Sequence, residues 1–118
     1  MQLVFVSVAS RLLSSVDLDS IAERSGHHNA VCGITGLLLY RGEYFHSILE
    51  GSEREVLRRM EVIVTDDRHR EINILRERNI TERRFANWTF AAVPRPGPGL
   101  AHFHSQDEFI RTLSTRLP

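Results

Sequence analysis

Hydrophobic and polar residues along this chain fall into five strand-like runs and two amphipathic stretches, followed by a Pro/Gly-rich break and a short apolar-faced tail. Residues 3–8, Leu-Val-Phe-Val-Ser-Val, are mostly β-branched or aromatic and predict a first strand. A polar stretch over 10–15 follows, and Asp17 or Asp19 can cap a helix reaching about His28. Within it Leu18, Ile21, Ala22 and Ser25 recur at helical spacing and define one buried face. Residues 33–40 predict a second strand, whose Ile34, Leu37, Leu38 and Leu39 show so little alternation that both faces must be covered. Arg41-Gly42 turns the chain into a third strand over 43–50. Ser52 with Glu55 forms a capping box for a second helix, with Val56, Met60, Ile63 and Val64 as its stripe and an end near Thr65-Asp66. Two further strands are predicted over 72–78 and 88–93.

The run Pro94-Arg95-Pro96-Gly97-Pro98-Gly99 cannot be regular structure and marks a linker over 94–104. Ser105 and Glu108 then open a closing helix over 105–118, with Phe109, Ile110 and Leu113 on one face. The order β-α-β-β-α-β-β over residues 1–93 is the split βαβ, ferredoxin-like arrangement of the α+β class. Short loops and right-handed crossovers put both helices on one face of the sheet. The closing helix must bury its apolar face in cis or against a second copy or a protein partner.

Composition narrows the function. The 118 residues suffice for one domain, and 15 basic residues balance 15 acidic ones. Neither nucleic acid nor an anionic membrane is expected as partner, because both call for clustered positive charge. The single cysteine, Cys32, excludes an internal disulfide and reads as a small core residue in a reducing, cytoplasmic setting. No apolar run reaches transmembrane length. Glycine-rich phosphate loops and nucleophile elbows are absent, and no enzyme activity is expected. The six histidines form no metal set: His27 and His28 point about 100° apart on a helix, and His102 and His104 share a face only if extended.

Four blocks carry a more specific signal: Ser25-Gly26-His27-His28-Asn29 with Gly33-Ile34-Thr35-Gly36-Leu37-Leu38; Tyr44-Phe45 with Leu49-Glu50-Gly51; Asp66-Asp67-Arg68-His69; and Phe85-Ala86-Asn87-Trp88. In this order and spacing, over roughly the first 93 residues, the chain resembles the BLUF family of flavin-binding blue-light sensors. The resemblance implies a ferredoxin-like sheet with FAD or another flavin between the two helices. It implies that Asn29 hydrogen-bonds the flavin ring and that Ser25 and His28 line the helix wall of the pocket. Ile21 and Ile63 would clamp the ring faces, Arg68 and His69 would sit at its polar edge, and Trp88 would lie near it. Taken singly, each residue has a plainer role: Asn29 as a helix C-cap, Arg68 paired with Glu71 or Asp66, and Trp88 as a core aromatic.

The sequence departs from the family at its switch. The family places a Tyr on the first strand and a Gln on the third, where this chain has Phe5 and Ser47; a family Met is replaced by Phe90. A phenyl ring has no O–H to donate, and a serine has no amide to rotate. Strand alternation turns His46 away from the face that Ser47 presents, and Tyr40 and Tyr44 lie too far along the strands to stand in. The leading expectation is a flavin-pocket domain unable to run the family photocycle, acting through protein–protein contacts. The alternatives are a working FAD-binding blue-light sensor and a flavin-free interaction module.

Overall fold

The computed structural model describes residues 1–93. The linker over 94–104 and the closing helix over 105–118, with His102, His104, Phe109, Ile110 and Leu113, lie outside the described residues. The elements are β1 (Gln2–Ala9), α1 (Ser15–Cys32), β2 (Thr35–Arg41), β3 (Tyr44–Glu50), α2 (Glu53–Val64), β4 (His69–Arg78) and β5 (Trp88–Val93). They form one five-stranded sheet in the order β4-β1-β3-β2-β5, antiparallel except that β5 runs parallel to β2. The first four strands have the predicted ferredoxin-like order, and β5 extends it beyond β2.

Both helices pack on one sheet face. Leu3, Phe5, Leu49 and Ile34 meet Val56 and Met60 of α2, while Ala9, Tyr40 and Phe45 meet Leu13 and Ile21. The opposite face carries Val4, Leu37, Leu39 and Ile48, packed with Phe85 from the β4–β5 connection. β3 is buried on both faces from Phe45 to Glu50, as its central place in the sheet requires.

Three boundaries differ from expectation. α1 begins under Ser14, not Asp17 or Asp19: Ser14 Oγ accepts from the Asp17 backbone N–H, and the Asp17 carboxylate accepts from the Ser14 backbone N–H. Arg11 donates to the same carboxylate and, with Ser14, holds it well below the usual carboxylate range. α1 also runs past His28 to Cys32, ending on Gly33 in the left-handed conformation (φ 69°). Asn29 is therefore an interior helix residue and not a C-cap. β4 starts at His69, three residues before the apolar run, because it is a sheet edge whose outer residues are free to be charged. It pairs with β1 through two register shifts, and Glu71 adopts a positive φ of 53° at one of them.

The Leu-Glu-Gly block has a structural use. Glu50 is fully buried; its carboxylate accepts from Gln2 Nε2 and from the backbone N–H groups of Arg84 and Phe85, each at 2.8 Å. Arg83 donates to the Glu50 carbonyl at 3.1 Å and to Thr35 Oγ1 at 2.9 Å. These bonds tie the connection between the two edge strands to the centre of the sheet, and so fix where β5 begins at Trp88. Removing the carboxylate orphans two backbone donors, one buried (Phe85) and one part-buried (Arg84). Glu50→Ala should lower folding stability by about 2–4 kcal/mol, read from the urea midpoint; a loss under about 0.5 kcal/mol would contradict this role.

Candidate functional site

α1 buries an unusual stripe. Its buried residues are Ile21, Ser25 and Asn29, one per turn, and two of the three are polar. The buried residues of α2, Val56 and Met60, are both apolar. A helix that packed only against a core would place apolar side chains at 25 and 29. The polar pair instead faces a cleft between α1, α2 and the sheet.

That cleft is lined by Phe5, Leu38, Phe45, Ser47 and Leu49 from the sheet, by Ile21, Arg24, Ser25 and Asn29 from α1, and by Arg59 and Ile63 from α2. Asp66, Arg68, His69 and Trp88 close its remaining sides. It is a small cavity of about 90 Å³ that opens to solvent on one side. It is a narrow, largely apolar slot with a few polar groups, the usual construction of a small-molecule site.

The sheet register sets the slot floor. Phe5 stands opposite Ser47, Ser47 opposite Leu38, and Leu38 beside Phe90. The three positions expected to depart from the family's pattern, Phe5, Ser47 and Phe90, therefore lie in one row across β1, β3, β2 and β5. β3 pairs with both neighbours without a bulge, so Ser47 faces the slot and His46 is buried on the far side. Ser47 donates its hydroxyl to the Leu37 carbonyl at 3.1 Å, inside the sheet itself. The next row, Leu3-Leu49-Gly36-Trp88, needs a glycine: a Cβ on Gly36 would stand 1.9 Å from the Ile48 carbonyl oxygen.

The walls are mostly self-satisfied. His69 contacts the rings of Phe5 and Phe45, and both its nitrogens have partners at 2.7 Å. The Ile63 carbonyl can only accept, so Nε2 carries a proton and, in the neutral ring, Nδ1 accepts from the Ser7 hydroxyl. Arg68 donates to the Asp66 carboxylate, which depresses the Asp66 pKa and raises that of Arg68. Trp88 Nε1 donates to Ser25 Oγ at 3.3 Å. Asn29 is the fully buried exception. It is 1% exposed, and its Oδ1 has no hydrogen-bond partner among the described residues.

Of the residues expected at the site, Ile21, Ser25, Asn29, Ile63, Arg68, His69 and Trp88 converge on the slot, together with Phe5 and Ser47. His28 does not: it is exposed, with its ring edge-on to His27, because the buried angular position on α1 belongs to Asn29. Phe90 packs beneath Tyr40, Phe45 and Ile21 without lining the slot. Leu38, Phe45 and Leu49 were legible from strand parity with Ser47. Arg24 and Arg59 carried no local signal, whereas Asp66 stood in the third sequence block as a possible partner of Arg68.

Comparison with known proteins agrees with this geometry. The sequence profile of BLUF, sensors of blue light using FAD, matches residues 1–91. The photoactivated adenylate cyclase subunit beta of Euglena longa is 33% identical over 92 residues, which are 77% of this chain but 11% of that protein. The chain thus spans about a tenth of the length of the curated relatives it matches. Among solved structures, the dark state of BlrB, a BLUF protein, superposes with a TM-score of 0.78 at 29% identity, covering 98% of this chain and 96% of that one. Klebsiella pneumoniae BlrP1 with FMN and cyclic diGMP gives 0.70 at 32% identity, covering 78% and 25%.

An unpartnered buried amide oxygen costs stability in the protein without ligand. Asn29→Leu should therefore stabilise the ligand-free protein by about 1 kcal/mol, seen as a higher urea midpoint. A clear loss of stability would mean that Asn29 is a structural group.

Proposed function

The chain belongs to the BLUF family, sensors of blue light using FAD, and on that footing we propose that residues 1–93 hold a flavin in the slot but cannot run the family's light switch. One observation carries the first half: the buried Asn29 Oδ1 has no partner among the described residues, and Asn29 lines a largely apolar slot between two helices. A collapsed, purely structural core has no use for such a group.

A bound flavin supplies blue-light absorption and a planar ring that takes up an electron when excited. The chain's own residues do the rest. Ile21 and Ile63, from facing helices, clamp the two faces of the ring. Asn29 offers its carboxamide to the ring's polar edge, and Ser25 and Trp88 complete that wall. Arg68 keeps a fixed orientation through Asp66, and its unshared guanidinium N–H groups point to the same edge. His69 is a packed wall: its two nitrogens are already engaged by Ser7 and Ile63.

The second half rests on the floor of the slot. Phe5 has no hydroxyl to give an electron and proton together, and the Ser47 hydroxyl is spent on the Leu37 carbonyl. Neither can rearrange hydrogen bonds about a ring lying above them. Tyr40 shares their sheet face but lies one row further along, within the Ala9-Leu13-Ile21-Phe45 cluster, and does not line the slot. The domain then acts through contact with a protein partner or a second copy, and its light-regulated cyclase relatives hold the matching segment within far longer chains.

The test is a flavin titration followed by absorption spectra in the dark and under blue light. The protein should bind flavin, and the light-minus-dark difference should be flat. Asn29→Leu should weaken binding at least about tenfold. Failure to bind at saturating flavin would favour the flavin-free module, and a reversible red shift would show a working switch.

A further inference from the structure

The slot opens outward into a shallower groove between α1 and α2. Arg24, Arg59, Asp66 and Arg68 line both, and His28 and Asp67 edge the groove. Its charges do not cancel in pairs. Arg68 is held by Asp66. Arg24 and Arg59 make no hydrogen bond or ion pair among the described residues. Arg59 is half-buried, and burial pushes its guanidinium pKa down, only partly offset by Cys32 and Asp66 nearby. A desolvated guanidinium with every N–H unshared is a costly feature in an empty protein and a strong receptor for phosphate oxygens. Arg24 comes from α1 and Arg59 from α2, so an anion at the mouth would be reached from both walls at once.

We propose that Arg24 and Arg59 form a two-sided clamp at the mouth of the slot for the phosphate of a phosphorylated flavin, FMN or FAD, whose ring lies inside. The proposal rests on the flavin reading above. It makes the chain discriminate by tail charge and not by ring alone. Asp67, exposed on the same groove, opposes an anion there; its charge is solvated and therefore weakly felt. Bidentate guanidinium contacts with phosphate outweigh it.

The protein and an Arg24→Met, Arg59→Met double variant, which keeps the aliphatic stems, are titrated with riboflavin, FMN and FAD by flavin fluorescence, at low and high salt. The native protein should bind FMN and FAD at least about tenfold more tightly than riboflavin, with the preference shrinking as salt rises. The double variant should bind all three within about twofold of one another. Equal affinity of the native protein for riboflavin and FMN overturns the clamp while leaving the flavin slot standing. So does a double variant that keeps the native preference. If none of the three flavins binds the native protein, the flavin reading falls and the clamp with it. Circular dichroism and the urea midpoint confirm that the variant is folded.

Discussion

The register of the β2–β3 hairpin fixes everything that happens at the slot. A two-residue turn, Gly42-Glu43 with Gly42 at φ 64°, closes the Arg41–Tyr44 pair. From there pairing runs without a slip to Thr35–Glu50. A shift of one residue would turn Ser47 to the far face and bring His46 into the slot. It would also unseat Gly36 from the one place where its missing Cβ lets the Ile48 carbonyl approach. β1 reads the same register from the other side, so Phe5 meets Ser47 on the floor, with Leu38 beyond it.

Around this floor the molecule divides its tasks. The far face, with Val4, Leu37, Leu39, Ile48 and Phe85, is a dry core held by the buried Glu50 network. The near face is only partly closed. α2 packs firmly with Val56 and Met60, whereas α1 gives the sheet a polar stripe and leaves room between the helices. The site and the Glu50 network thus lie on opposite sides of one sheet, and substitutions on the floor row need not disturb the far core. Under the proposed reading, that separation lets the chain keep the BLUF frame with Phe5, Ser47 and Phe90 on the floor row.

Much of this was legible in the sequence. Five strands and two helices were in the right order, and parity alone placed His46 and Ser47 on opposite faces. What was missed depended on tertiary approach or on weak local signals. Asn29 was open to reading as a C-cap because the true cap, Gly33, follows four residues later. Ser14 carried a capping-box pattern with Asp17 in place of the commoner Glu. The start of β4 was hidden by Arg70 and Glu71 on a charged, bulged edge. His28 was drawn into the pocket by its neighbour, although adjacent helical residues cannot share one face. Nothing along the chain pairs Arg24 with Arg59, or Glu50 with the backbone at 84 and 85; the fold makes those encounters.

The proposed loss of switching is most directly tested by putting the missing groups back on the same row. The measurement is the light-minus-dark absorption difference of the flavin-loaded Phe5→Tyr, Ser47→Gln double variant. The account predicts a reversible red shift under blue light that the native protein lacks, because the phenol and the carboxamide are returned to adjacent positions on an unaltered floor. A folded, flavin-loaded double variant with a flat difference spectrum would contradict it.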